Sequence, residues 1–386
     1  MIKAQLNKNI RKIILQGHPW VYRDALADSK LSKKTELCKV IDPKGDFVAW
    51  AIYQPQGALA LRILSLDKNP PNEGYYFNKM DDAHKRRRQL VMSDTTNCFR
   101  LFNGEGDNLP GVICDIYNYV AVMQFDGESP KEFWHHDLIA NWILQNTSCN
   151  TVYLKSRGND DAPPTTWGDP LLSETVQVLE NNVAFDVNIA KGQKTGFFLD
   201  QRDNRQYVQT MVRGLSGLNL FSYTGGFSIY AGLGGAKEII SVDISKEALT
   251  TAEVNWRLNK VEESAHRTIC ADIYQYLSAD NTKWDFVIVD PPSMAHSEAQ
   301  KEVAIKKYVE LFANAVKKVK PSGQLFLSSC TSHIAFDDFF EIINEALSKS
   351  RRRGLILRVS GQGPDHPFPH ICHEFRYLKF VHLQLD

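Results

Sequence analysis

Leu218-Asn219-Leu220-Phe221-Ser222-Tyr223-Thr224-Gly225-Gly226-Phe227-Ser228, with Asp243 eighteen positions beyond Gly225, is the stretch that decides the fold. An apolar run stops at small residues and glycines, a helix-like segment follows, and a second apolar run, Ile239-Ile240-Ser241-Val242, ends in an acid. That is the pattern of a nucleotide-type βαβ unit. The glycines let the backbone turn tightly and come close to a ligand, and the acid at the second strand end accepts hydrogen bonds from a ribose.

Working outward, strands are predicted near 218–222, 238–242, 267–270, 285–289, 323–329 and 355–359. The clearest helical patterns between them lie near 245–258, 298–319 and 335–348. Such alternation predicts a parallel sheet covered on both faces, which binds ligands at the carboxyl ends of its strands. Those ends carry Phe221 through Gly226, then Asp243, Asp272 and Asp290-Pro291-Pro292. Asp243 would hold ribose hydroxyls, Asp272 an adenine amino group, and Ile244 would pack against the base. Each acid alone is as readily a helix cap or loop aspartate; four consecutive strand ends carrying Gly-Gly, Asp, Asp and Asp-Pro-Pro are more specific. A nicotinamide reading wants G-x-G-x-x-G, and a P-loop wants Gly-Lys-Ser/Thr; neither is supplied here. The order of strand ends resembles that of the class I S-adenosylmethionine-dependent methyltransferases. The cofactor-binding set it implies is Gln201, Phe221, Tyr223, Thr224, Gly225, Asp243, Ile244, Asp272 and Asp290.

Cys330 stands at the end of Gln324-Leu325-Phe326-Leu327-Ser328-Ser329, with a helix starting a few residues later. This places its thiol on the same rim as Asp290, where a helix N-terminus favours the thiolate. Methylation of a pyrimidine at C5 wants that arrangement, because C5 is not nucleophilic until a thiolate has added to C6. Asp290 would hydrogen-bond the base edge. The plainer reading is a small apolar residue closing a strand. Ser293 after the two prolines is not the aromatic that amino-group methyltransferases usually place there.

The rest of the chain sets the context. At 386 residues, two or three domains are expected. Residues 1–72 read as a small β-rich domain, 75–185 as a central α+β module, and 186–386 as the Rossmann-like domain. In the module, a charged helix covers Lys79 to Leu90, strands meet at the tight-turn residue Asn118, a helix runs from Glu132 to Gln145, and Gly158 to Gly168 reads as a loop. No leader-like or membrane-spanning apolar run is seen, and the seven scattered cysteines read as reduced thiols of a cytoplasmic protein. Net charge is zero, yet residues 1–90 hold 17 Lys/Arg against 9 Asp/Glu, including Lys85-Arg86-Arg87-Arg88. A basic end on a neutral chain suits a phosphate-contacting surface, with solvated surface charge as the alternative. Lys191 to Arg202 would close over the cofactor. His366, His370, Cys372 and His373 match no common zinc spacing, so no metal is expected, and that loop is read as lining the substrate mouth.

Several motifs together resemble the RlmI-type large-subunit (23S) ribosomal RNA cytosine-C5 methyltransferases over essentially the full length. They are Gly17-His18-Pro19-Trp20-Val21-Tyr22, Asn103 to Gly111, Lys194 to Arg202, Asn219 to Phe227, Asp290-Pro291-Pro292, Ser329-Cys330, Gly363 to Pro367 and Glu374 to Lys379. The resemblance implies an N-terminal PUA-like domain that binds RNA, a central α+β domain, a catalytic class I domain and a homodimer. It implies S-adenosylmethionine as cofactor, rRNA as partner, and Cys330 and Asp290 as catalytic residues. Thr331 departs from the usual Ser-Cys-Ser. The second cysteine that other RNA cytosine methyltransferases use for product release is absent, with Ser293 in its place. Methylation of another base atom, such as guanine N7, and a non-catalytic RNA-binding role stay open.

Overall fold

A computed structural model describes residues 2–156 and 165–386, which divide into two compact units. The first takes in residues up to 179, 187–199 and 364–373. It opens with a five-stranded sheet in the spatial order Ile2–Gln5, Glu36–Ile41, Phe47–Tyr53, Leu59–Ser65, Trp20–Tyr22. Alternation along Glu36–Ile41 turns Cys38 and Val40 inward onto Ala4, Val48, Ala51 and Leu61. The helix Glu73–Leu90 follows, its first turn capped by Asn72, whose Oδ1 accepts from the Tyr75 amide at 3.0 Å. A second five-stranded sheet runs Thr165–Gly168, Thr151–Leu154, Val120–Phe125, Val112–Tyr117, Cys98–Asn103. Asn118 makes the hairpin turn with φ +57°, as its position between two strands requires.

Three expectations for this unit need correction. Thr165–Gly168 is an edge strand paired with Thr151–Leu154, not loop; the remainder of the expected loop lies outside the described residues. The helix expected from Glu132 to Gln145 is two, Glu128–Phe133 and His136–Asn146, because Trp134 turns out of the helix to bury its ring and donate to the Pro110 carbonyl at 3.0 Å. The basic run is not wholly a surface. Arg87 is buried and forks onto both Asp107 oxygens at 2.6 Å, and Arg86 reaches the same carboxylate at 2.7 Å. Asp365 joins this cluster, accepting from the Arg100 amide at 3.0 Å and lying 3.1 Å from the buried His366 ring. The motif Asn103 to Gly111 is explained here too: a Cβ on Gly106 would stand 1.9 Å from the Pro367 carbonyl oxygen.

The second unit, residues 180–186, 200–363 and 374–386, is built on a seven-stranded sheet. Its order is His266–Cys270, Glu238–Asp243, Ser216–Leu220, Trp284–Val289, Val319–Ser329, Lys379–Leu385, Gly354–Ser360. The first five are parallel, as expected. The last two pairings are antiparallel, so the sheet is mixed and Lys379–Leu385 is a strand the sequence reading passed over. Leu218, Val287 and Leu325 pack under Tyr308 and Phe312 of the helix Lys301–Val316 and Phe339 and Ile342 of the helix Phe336–Lys349. Chain direction across the sheet reverses its progress between Ser216–Leu220 and Trp284–Val289. That switch point leaves a crevice at the carboxyl ends of these two strands.

Candidate active site at the sheet's carboxyl rim

At the end of Ser216–Leu220 the backbone bends abruptly. Phe221 and Tyr223 both hold positive φ, +59° and +48°, and Gly225 has φ +80°. Two non-glycine residues in this sparsely populated region mark a strained turn, of the kind kept at ligand sites. The turn is pinned from the neighbouring strand. The Ser222 amide donates to the Val242 carbonyl at 3.1 Å, and the Tyr223 amide donates to Asp243 Oδ2 at 2.8 Å. Asp243 Oδ1 accepts from the Ser245 amide at 2.9 Å, so both oxygens of the predicted ribose ligand are oriented by backbone. Gly225 leads into the helix Gly226–Leu233, and a Cβ there would come within 2.8 Å of Ala252 Cβ.

Next to Asp243, Ile244 is 72% exposed, an apolar side chain held open at the rim. Asp272 caps the helix Ile273–Ala279, its Oδ1 accepting from the Gln275 amide at 3.0 Å. Asn219 Oδ1 and Ser222 Oγ are buried without a hydrogen-bond partner, and Thr224 is buried at the turn. Buried polar atoms are normally satisfied, so unfilled acceptor and hydroxyl positions beside an exposed apolar residue and a fixed carboxylate fit an adenosyl ligand.

Under Asn219 runs a polar chain the sequence reading did not foresee. Its amide donates to Ser228 Oγ at 2.9 Å, which meets Ser241 Oγ at 2.7 Å, which meets His266 Nε2 at 2.8 Å. Burial pushes the His266 pKa down to about 4, and its ring stacks on Trp256 with centroids 4.4 Å apart.

The other half of the rim carries Asp290 and Cys330 on adjacent parallel strands, Val289 standing opposite Leu327 in the register. Gln201 ties the two strands together: its Nε2 donates to Asp290 Oδ1 at 3.0 Å and to Ser328 Oγ at 2.8 Å, while its Oε1 accepts from Asn204 at 2.7 Å. Its amide is thus committed on both sides, and Gln201 is buried. Thr331 ties the loops beyond the strands. Its Oγ1 accepts from the Met294 amide at 3.1 Å and lies 2.8 Å from the Tyr308 hydroxyl and 3.3 Å from Ser293 Oγ. Cys330 between them is half-buried; of the other six cysteines only Cys270 is exposed. The bridging roles of Asn204, Ser328, Tyr308 and Thr331 carry no motif, because the residues they join lie far apart in the chain.

A family model for S-adenosylmethionine-dependent methyltransferases matches residues 139–357, and one for PUA-like domains matches residues 4–66. The chain is similar to a ribosomal RNA large subunit methyltransferase of Deinococcus radiodurans, 34% identical over 100% of this chain and 98% of the relative. It is also similar to the ribosomal RNA large subunit methyltransferase I of Vibrio vulnificus, 32% identical over 97% of each. Among solved structures, a candidate methyltransferase in complex with S-adenosylhomocysteine superposes with a TM-score of 0.89 at 23% identity, covering all of both chains, a likeness of fold.

Proposed function

The chain belongs to the S-adenosylmethionine-dependent methyltransferases of large-subunit ribosomal RNA, and from that premise we propose that it forms 5-methylcytidine, with Cys330 as the attacking thiolate. The observation that carries the reading is the pairing of Cys330 and Asp290 on neighbouring strand ends, linked through Gln201 and Ser328.

When bound, S-adenosylmethionine supplies the electrophilic methyl group that C5 takes up. Cys330 makes C5 competent for this. Its sulfur bonds to C6, and the electron pair of the C5–C6 double bond moves toward C5. Asp290, set by Gln201, orients the base edge; Gln201 thus serves the site through Asp290. A general base then takes the C5 proton, and the electron pair of the C5–H bond restores the C5–C6 double bond and expels Cys330 as thiolate. Asp243 would hold the ribose hydroxyls of the cofactor, Ile244 and Asp272 its adenine, and the turn from Phe221 to Gly225 would admit its methionine part. Ser293 is turned to the Ala295 carbonyl at 3.1 Å and offers no second thiol.

We assign RNA binding to residues 1–72, a central module to 75–185 and catalysis to 186–386. Exposed Lys3, Lys12, Lys33, Lys34 and Lys44 support phosphate contact by the first of these. An rRNA substrate would place the enzyme in the cytoplasm. The edge strand Gly354–Ser360 leaves Leu355, Ile356, Leu357 and Val359 exposed, which supports a homodimer covering it; light scattering tests this.

The test of the chemistry is methyl transfer from labelled S-adenosylmethionine to protein-free large-subunit rRNA, read by nucleoside mass spectrometry. 5-Methylcytidine from wild type and none from Cys330→Ala is expected. A methylated guanine, or full activity in the variant, refutes the thiol mechanism while leaving the fold and cofactor intact.

A further inference from the structure

Beside the proposed nucleophile lies a buried cation for which the reaction has so far found no use. Lys379 begins the inserted strand Lys379–Leu385, directly opposite Ser329 in the antiparallel register, and its side chain is fully buried. Its Nζ donates to the Thr331 carbonyl at 2.6 Å and to the Tyr377 carbonyl at 2.8 Å. It therefore spans the residues flanking Cys330 from the strand next door. Burying an ammonium is costly unless a negative charge answers it. Among the described residues no carboxylate forms an ion pair with Lys379.

The charged groups around it are few. Asp338 attracts it, but that carboxylate is already held by Lys301 at 2.8 Å and by the Ala335 amide at 2.9 Å. Tyr308, which contacts Ser329 and Thr331, stays neutral, since burial pushes its pKa well up. Asp290 belongs to the Gln201 side of the rim. Among the described residues Cys330 attracts Lys379 as well, against the burial that pushes the ammonium down to about 8, and the Thr331 carbonyl that Lys379 holds belongs to the residue next to that cysteine.

We infer that Lys379 is the counter-cation of the Cys330 thiolate, a positioning residue that acts on the RNA through that sulfur. This rests on the reading of Cys330 as nucleophile. The thiol proton leaves to solvent and Lys379 keeps its own three, so the resting pair is ammonium and thiolate. Addition to C6 consumes the sulfur's negative charge, and elimination returns it to the same place. A cation there favours both the attacking form and the departing one, because a thiol of lower pKa leaves faster. That gives a site without a second cysteine a way to let go of its adduct.

The experiment is alkylation of the full-length enzyme by iodoacetamide across pH 5.5–9.5, with no RNA or cofactor, each cysteine peptide followed by mass spectrometry. In wild type the Cys330 rate should reach half its plateau at least one pH unit below the ordinary thiol value of ~8.5. Lys379→Met should move that midpoint up by one unit or more and slow Cys330 modification about 10-fold near neutrality. The exposed Cys270 should keep the same profile in both proteins. A Cys330 midpoint in wild type at or above the ordinary value overturns the inference even if the variant fails to fold. So do superimposable Cys330 profiles in two folded proteins. Because no methyl transfer is read, a shifted profile alongside a methylated guanine would sink the cytosine mechanism and not the ion pair.

Discussion

Replacing Gln201 by Leu removes one amide from the junction between two strands and leaves its shape nearly intact. Asp290 Oδ1 loses a donor at 3.0 Å, Asn204 loses an acceptor at 2.7 Å, and Ser328 keeps its bond to the Lys379 carbonyl at 3.1 Å. A lost hydrogen bond to a charged group is worth about 1.5–3 kcal/mol and a stranded buried amide about 1 kcal/mol, so the total is about 2.5–4 kcal/mol. In a unit of 150–250 residues that lowers Tm by roughly 5–15 °C. Methyl transfer should fall by about 100-fold if Asp290 drifts by an ångström or so. Gln201→Glu makes the sharper test, since it sets a second carboxylate within about 3 Å of Asp290. At an effective dielectric of 20 the repulsion is about 5 kcal/mol, enough to raise the pair's pKa several units above the unfolded value. A raised carboxyl pKa means that stability is present at low pH, where the pair shares a proton, and is lost as pH rises through the folded value. Thermal unfolding at pH 5 and pH 8 should therefore show Gln201→Glu failing mainly at pH 8 and Gln201→Leu failing equally at both. A Tm for Gln201→Leu within 2 °C of wild type, or a Gln201→Glu deficit independent of pH, would refute the reasoning.

Gly225→Ala forces a side chain onto a backbone at φ +80° and into Ala252, 2.8 Å away. We expect a loss of about 1–3 kcal/mol and at least 10-fold weaker binding of S-adenosylhomocysteine by calorimetry; wild-type affinity would mean that the turn is not part of the cofactor site. His382 is fully buried, 2.9 Å from the Tyr207 hydroxyl and stacked on Phe326, and burial pushes its pKa down to about 4. It must stay neutral in the fold but titrates near 6.5 when unfolded. Its contribution is therefore intact above pH 6.5 and is lost as pH falls toward 4, by up to about 3 kcal/mol. Urea unfolding of His382→Phe should show a shallower acid limb; limbs that coincide would show that the residue does not titrate on unfolding.

How much of this was legible depended on whether a residue announced its surroundings locally. The strands ending at Leu220, Asp243, Cys270, Val289 and Ser329 are apolar runs stopped by polar residues or turns, and the parallel part of the sheet follows from them. Lys379–Leu385 was passed over because Lys379 and His382 interrupt its apolar run. Each has a partner far along the chain, Thr331 for the one and Tyr207 for the other, which no local pattern can reveal. The same holds for Arg87, which reads as one of four surface cations until Asp107 and the Asp365 carbonyl close around it. At the rim, the acids and glycines were visible as types. Gln201 was named there only as a cofactor residue, and the bridges that its amide and the Thr331 hydroxyl make were not visible, since a bridging residue is recognisable only by what it bridges.

The inserted strand also sets an order on assembly. Val319–Ser329 and Gly354–Ser360 are never neighbours in the finished sheet, because Lys379–Leu385, made after both, lies between them. Both earlier strands are synthesised before the one that separates them. Direct pairing of those two would give a plausible sheet one strand short, without Lys379 beside Cys330. The slot between them has to stay open until Lys379–Leu385 fills it, and only then does Lys379 reach the Thr331 carbonyl.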